Sequence, residues 1–402
     1  MQPAANRLAP FLNRWGGFIA VAFALTMGFS TSSLPSPLYP IYQTDWRLQP
    51  SQLTYIYSLY MVGVLVALLC LGRLSDTLSR YTVVCISLML MTLGLLLSGV
   101  ASGINALLFA RGVIGLANGL LTTAGAFALV DTHPTNDRRV ASVATSASIA
   151  VGVGLGPLLS GLVAQTGVAP LRLPYFIVAV LALCNLWLTW RSRHTFAPRT
   201  GGRARLSITP KLALPGKSTR VPFLLASAAA FTQFASGSLL ASLVPSFLYN
   251  LLPWKGPAVP GIAFLILSAA SAVTQLSQRN IAARKGLIIG LLTLAGCLIA
   301  LCIGIRTSSV WAFLIAMILA GSGQGLCFMA STLIAGQNSD ESRRSANMAT
   351  YFSIAYIGAS IPVIAVGRLA DHWGLAPAVI IFSAVAALAL TALAWLARRV
   401  LP

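Results

Sequence analysis

Twelve apolar runs of about twenty residues, parted by short polar breaks, leave this chain few folds to choose from. They lie roughly at 16–37, 51–71, 81–101, 106–130, 141–164, 174–190, 221–249, 260–280, 286–305, 309–335, 346–367 and 375–397. A run of that length crosses a hydrocarbon layer ~30 Å thick as a helix. Helices follow because no water is present there to satisfy backbone N–H and C=O groups. The chain is 57% hydrophobic and 8% charged. A soluble domain carries about a quarter charged residues, so no sizeable soluble domain fits around the runs. The expected fold class is therefore an all-α membrane protein with 12 transmembrane helices. Arg7 and Arg14 precede the first run as in a signal peptide. That run continues past Leu34 with no small-residue cleavage pattern, so it is expected to be an uncleaved first span.

A net charge of +20 invites a nucleic-acid reading. The basic residues sit in short breaks between apolar runs, which instead fits the bias that orients membrane proteins. Arg7, Arg14, Arg73, Arg80, Arg138, Arg139, Arg279, Arg284, Lys285, Arg343, Arg344, Arg398 and Arg399 would share one side with the long central break. Arg47, Arg172, Lys255, Arg306 and Arg368 would fall on the other. Both termini are thus expected in the cytoplasm. Residues 191–220 hold eight further basic residues, no acid, and several Pro and Gly. This segment reads as a flexible basic linker against anionic lipid, at about 1 kcal/mol per basic residue. A regulatory role is open, but nothing in the segment selects it. The six cysteines form no CxxC, and His133, His194 and His372 are scattered. Neither a metal site, a disulfide framework nor a cofactor is expected.

The linker also divides a repeat. Shifted by 205 positions, Phe18 falls on Phe223, Pro40 on Pro245, Arg138-Arg139 on Arg343-Arg344, and Pro157 on Pro362. With one more residue, Gly115 and Gly119 fall on Gly321 and Gly325. The expected division is 1–190 for a first six-helix bundle, 191–220 for the linker, and 221–402 for a second bundle. Parallel repeats of this kind mark transporters that hold a site between their halves.

Between the second and third runs lies Gly72-Arg73-Leu74-Ser75-Asp76-Thr77-Leu78-Ser79-Arg80. Glycine first, an acid four positions on and a basic residue four further on resembles the signature loop of the major facilitator superfamily. The resemblance implies two pseudo-symmetric six-helix bundles. It also implies a latch in which Asp76 meets the start of the eleventh helix, with Arg73 and Arg80 completing a charge network. Thr77, Ser79 and Tyr81 depart from the family pattern, which usually has basic residues or glycine there. A loop that merely sets topology is the alternative. Arg111-Gly112-Val113-Ile114-Gly115 resembles the family's fourth-helix motif, where the arginine is tied to proton coupling or gating. The alternative is a structural arginine bonded to backbone carbonyls at a helix end. Asp131 lies about twenty residues on, roughly 30 Å along a helix, so it is expected to join Arg138, Arg139 or the Asp76 loop instead. Gly152, Gly156, Pro157 and Gly161 resemble the antiporter motif of exporters, with Ser160 in place of a glycine. Close helix packing alone also explains them.

By the same resemblance, a cavity is lined by helices 1, 4, 7 and 10. Its polar candidates are Thr26, Ser30, Asn118, Gln233 and Gln324, with Tyr57, Tyr60, Tyr351, Tyr356 and Asn347 from helices 2 and 11. Each is also explained as a helix-packing polar residue. The set is neutral and aromatic, which suits an amphipathic compound better than a sugar phosphate. No span apart from the edge of the fourth holds an acid, which is awkward for proton antiport. The expectation is a monomeric, proton-coupled exporter of a small organic molecule in a bacterial inner membrane. An importer or facilitator of a metabolite is the alternative within transport. A non-transporting sensor is the alternative outside it. An enzyme would need a constellation of acid, histidine or cysteine, and the sequence offers none.

Overall fold

The computed structural model describes residues 5–71, 74, 78–196, 212–251, 256–278, 280–340 and 343–401. Among them are twelve helices long and apolar enough to cross a membrane, and no strand. They are α1 (Ala5–Ser33), α2 (Pro50–Val66), α3 (Arg80–Val100), α4 (Ile104–Thr132), α5 (Arg138–Gln165) and α6 (Leu173–Arg191). The second set is α7 (Lys217–Ser242), α8 (Ala258–Ser277), α9 (Ala283–Thr307), α10 (Val310–Gln337), α11 (Arg344–Trp373) and α12 (Leu375–Val400). Short helices at Tyr39–Trp46 and Val244–Leu251 extend α1 and α7, and a π-helical turn at Ala67–Leu71 ends α2.

One core gathers the first six helices and reaches Ala241, Phe264, Ala359 and Val363 of the last six, which hold two further clusters of their own. Small residues set the closeness, because lipid supplies no hydrophobic drive between helices. On α4, a β-carbon on Gly115 would stand 2.2 Å from the Tyr60 carbonyl oxygen of α2. Its repeat mate on α10, Gly321, stands in the same way 2.0 Å from the Leu267 carbonyl oxygen of α8. The repeat seen in sequence is thus a repeat of contacts. Two further pairs, α2 with α11 and α5 with α8, join the bundles.

The start of α1 meets the end of α6, where Gly16 faces Ser192, and Arg284 at the start of α9 donates to the Arg398 carbonyl at the end of α12 (2.6 Å). These contacts define one face, called here the termini face; the opposite one is the far face. Large apolar side chains point outward all round, among them Phe109, Trp311 and Leu388, as a lipid-facing surface requires.

Two helix ends differ from the sequence expectation. The eleventh span was expected to stop near residue 367, where charge appears. The helix instead runs to Trp373, because Arg368 and Asp371 in its last turns find partners on α2. The first span ends earlier as a regular helix, at Ser33. Pro35, Pro37 and Pro40 then force a 3-10 turn before the chain turns helical again.

Candidate functional site

The end of α1 explains why Arg111, two turns into α4, is buried. Pro35 has no N–H, so the Thr31 carbonyl loses its helical partner. Arg111 supplies the missing donors: its guanidinium bonds the carbonyls of Thr31 (2.8 Å), Ser32 (2.8 Å) and Ile56 (3.4 Å). It also lies over the Tyr60 ring, 4.6 Å from the centroid. The side chain is 0% exposed, and the partial negative charge of a helix C-terminus takes the place of an acid. This geometry is the backbone-bonded arrangement that the sequence left open beside a coupling role.

Two turns further along α4, Asn118 donates to the Gly28 carbonyl (2.7 Å), Thr31 Oγ1 (3.1 Å) and the Tyr60 hydroxyl (3.0 Å). Its own Oδ1 accepts no described hydrogen bond. The second bundle repeats the theme. Gln233 Nε2 of α7 donates to the Gln324 carbonyl of α10 (3.2 Å), and Gln233 Oε1 is left without a described donor. Buried carbonyl oxygens in that condition are candidate ligand contacts.

Asn118 lines a small, partly open cavity with room for about one water molecule, halfway along α2 and α4. Its walls are Leu25, Gly28, Phe29, Tyr60, Val64, Leu121 and Thr122 from the first bundle, and Tyr356 from the second. Phe234 stands edge-on to Tyr356, with centroids 5.5 Å apart. No wall residue is charged.

Of the other expected cavity residues, Thr26 and Ser30 bond back onto α1 and face α5. Tyr57 is buried. Tyr351 lies away from the cavity in the core of the second bundle, its hydroxyl shared with Ser331 (2.8 Å) and Thr332 (3.1 Å). Asn347 bridges the Ala213 carbonyl and the Asp340 N–H (3.2 and 3.0 Å), under the end of the linker. Sequence reasoning missed Phe29 and Thr122, which follow from helical spacing: Thr122 is one turn beyond Asn118, and Phe29 adjoins Gly28.

The described hydrogen bonds joining the bundles all lie between the far face and mid-membrane. Ser246 donates to Gln43 (2.7 Å), Ser58 to the Ser360 carbonyl (3.5 Å), the Ser51 N–H to Asp371 (3.0 Å) and the Ala258 N–H to Gln165 (3.4 Å), while Arg368 donates to Tyr55. The far end is shut above the cavity.

With this architecture in place, comparison with known proteins decides the family. The family model described as Major Facilitator Superfamily matches residues 19–361 and 275–402. The chain belongs to the Major Facilitator Superfamily. Over 371 residues it is 24% identical to the multidrug efflux protein YfmO of Bacillus subtilis, covering 88% of this chain and 86% of that one. Over 161 residues it is 23% identical to the quinolone resistance protein NorA of Staphylococcus aureus, covering 40% and 41%. Over 171 residues it is 20% identical to the riboflavin transporter RibZ of Clostridioides difficile, covering 42% and 38%. Among solved structures, a bacterial homologue of the human lysosomal transporter Spinster superposes with a TM-score of 0.73 at 16% identity, over 95% of this chain and 96% of that one. A POT family transporter in complex with a thioalcohol-conjugated peptide gives 0.74 at 12% identity, over 96% and 97%. The chain is a multi-pass membrane transporter and not an enzyme.

Of the superfamily's signature loop, Gly72, Arg73 and Asp76 fall outside the described residues. Arg80 is described, and it pairs with Asp131 of α4 while lying over Phe127. Arg138 and Arg139, the other expected partners of Asp131, instead open α5, where Asp137 caps the helix. That cap accepts the N–H groups of Val140 and Arg139, which hold the Asp137 carboxyl below the usual carboxylate range. The glycines of the antiporter-like motif divide their work. Gly152 and Gly156 press on the Thr26 and Ser30 carbonyls of α1, while Gly161 presses on Pro257 of α8 across the bundle interface.

Proposed function

We propose that this superfamily member exports a small, amphipathic organic molecule in exchange for protons, by alternating access. The setting is a bacterial inner membrane with both termini in the cytoplasm. The observation that carries the reading is the cavity: uncharged, walled by Phe29, Tyr60 and Tyr356, halfway across the membrane and below a shut far end. Such walls favour an aromatic or apolar body with a few hydrogen-bonding groups, and offer nothing to a phosphate. The unpaired oxygens of Asn118 and Gln233 would accept from the ligand, with Gln324 beside them. Relatives named for multidrug efflux, quinolone resistance and riboflavin transport all handle small organic solutes, which supports the same class.

Residues 1–190 and 221–402 would be the rocking units, joined through 191–220. Arg73, Asp76, Arg80 and Asp131 would gate the termini face. There Arg191, Arg193 and Arg399 stack on Trp187, Trp190 and Trp395, a pattern suited to anionic headgroups. The unit of function would be a monomer.

The test is uptake of small aromatic dyes into proteoliposomes carrying an acidic lumen. Uptake that follows the gradient, collapses with a protonophore and is lost in Asn118→Leu supports exchange. One observation favours a facilitator: among the described residues no carboxylate stands in the middle of a span. Dye flux indifferent to the gradient would select that second reading.

A further inference from the structure

The two halves of the repeat differ in charge at one corner of the termini face. In the second bundle the start of α9 packs beside the end of α12, where Arg284 donates to the Arg398 carbonyl (2.6 Å). This contact gathers Arg284, Lys285, Arg398 and Arg399 on two adjoining helix ends. Lys285, Arg398 and Arg399 are exposed. Neither helix contains an acid, and neither do α7 and α10, which pack beside them. None of the four basic residues makes an ion pair among the described residues.

Shifted by 205 positions, the matching corner of the first bundle holds Ser79, Arg80, Arg193 and His194, with Trp190 in the place of Trp395. There Arg80 is neutralised by Asp131, and Ser79 caps α3 by accepting the Thr82 N–H (3.1 Å). One corner is thus built with a cap and an ion pair, the other with four cations. The bias that orients membrane helices favours positive charge on this face, but at both corners alike. Arg284 and Lys285 also stand in the first turn of α9, where the helix dipole disfavours cations. Neither the fold nor the topology accounts for the excess at the second corner.

The surroundings indicate what anion would meet it. Ile289 and Leu292 lie one and two turns beyond Lys285 on the same face of α9, and both are exposed. Trp395 and Leu388 are exposed in the same way below Arg399 on α12. The Arg399 guanidinium lies over the Trp395 ring, 4.0 Å from its centroid. Stacking uses the face of a guanidinium and leaves its edge N–H groups for a phosphate. An exposed indole beside basic residues also suits the level of lipid headgroups.

We propose that the α9–α12 corner binds an anionic phospholipid of the cytoplasmic leaflet, and that a headgroup with two phosphates fills it best. Lys285 and Arg399 hold the phosphates and Arg398 adds to the field. Arg284 ties the two helix ends together. The acyl chains lie along the apolar faces of α9 and α12. The choice of leaflet rests on the orientation proposed above, whereas the site itself does not.

The test is native mass spectrometry of the purified protein in detergent with equal amounts of phosphatidylethanolamine, phosphatidylglycerol and diphosphatidylglycerol. Wild type should retain diphosphatidylglycerol most strongly and phosphatidylethanolamine least. Lys285→Gln with Arg399→Gln should weaken that binding by about tenfold or more, at about 1 kcal/mol per basic residue. Arg191→Gln with Arg193→Gln removes the same charge from the same face of the other bundle. It should weaken binding less than about threefold, since charges beyond a Debye length are screened. Equal losses in the two double variants, or equal retention of the three lipids by wild type, would overturn the proposal. Lys285→Arg keeps the charge and should bind as wild type does; a loss as large as in Lys285→Gln would assign the effect to packing and sink the site. Inorganic pyrophosphate at the lipid's concentration should leave the lipid bound, and its displacement would overturn the lipid assignment. No substrate enters this experiment. Failure of dye exchange therefore leaves the lipid site standing, and failure of lipid selectivity leaves the efflux reading standing.

Discussion

A β-carbon on Gly161 would stand 2.4 Å from the carbonyl oxygen of Pro257, and one on Gly261 would stand 2.7 Å from the carbonyl oxygen of Pro157. The contact is reciprocal across the bundle interface. Backbone, unlike a side-chain tip, has no rotamer by which to move away. Gly161→Ala should therefore push α5 from α8 at a cost of about 1–3 kcal/mol. A fall of several degrees in melting temperature is expected, with readier opening of the far face to a water-soluble thiol probe placed there. Gly103→Ala, with nothing within 4 Å of its β position, is the neutral comparison. Equal melting of the two variants would mean the interface is looser than this geometry requires.

Arg111 serves three carbonyls with one planar group. Lysine has a single ammonium and cannot span the same fork. Each carbonyl stranded in the protein interior costs about 1–3 kcal/mol, so Arg111→Lys should be markedly less stable even though the charge is kept. Arg111→Leu should be worse. Thermal unfolding of both in one lipid composition checks this, and a lysine variant as stable as wild type would sink the backbone-holding account.

The Arg80–Asp131 pair is partly solvated, with side chains 39% and 19% exposed. Exposed pairs contribute about 0–1 kcal/mol. A double-mutant cycle with Arg80→Gln and Asp131→Asn should give a coupling energy in that range. A gating role would then appear as a change in flux far larger than the change in stability. A coupling energy of about 3 kcal/mol or more would instead mark the pair as a structural strut.

Asp137 predicts a pH dependence at the start of α5. Its carboxyl titrates lower in the folded protein than in the unfolded chain, because the Val140 and Arg139 N–H groups bond the charged form. The cap is thus fully effective above the ordinary aspartate value of about 3.9 and is lost as pH falls through the lower folded value. Asp137→Asn keeps an acceptor without the charge and should remove this acid-side loss. Melting of wild type and variant between pH 6 and 3 should converge at the acid end; parallel curves would show that Asp137 contributes nothing to the limb.

How much was legible beforehand differs from residue to residue. Gly115 and Gly119 register with Gly321 and Gly325 in the chain, and the same registration reappears as matching contacts on α2 and α8. Asn118 lines the cavity, but the sequence allowed it equally as a residue packing helices together, and its amide does both. Tyr351 looked equivalent in sequence but has its hydroxyl satisfied in its own bundle. Composition records that a residue is polar, not which neighbour already bonds it. The eleventh apolar run, 346–367, stops short of Asp371, because hydropathy falls wherever charge appears. Whether the helix continues depends on a partner more than three hundred positions away, and no local window sees one.

The number of crossings, the two-fold repeat and the class of protein were properties of the chain alone. Lipid admits only helices of a certain length, and that length is written in the apolar runs. Which end of the molecule is shut, which acid spans the two halves and which amide oxygens remain free were decided by tertiary structure. Those outcomes depend on hydrogen bonds between helices far apart in sequence, and polarity by itself does not choose among partners.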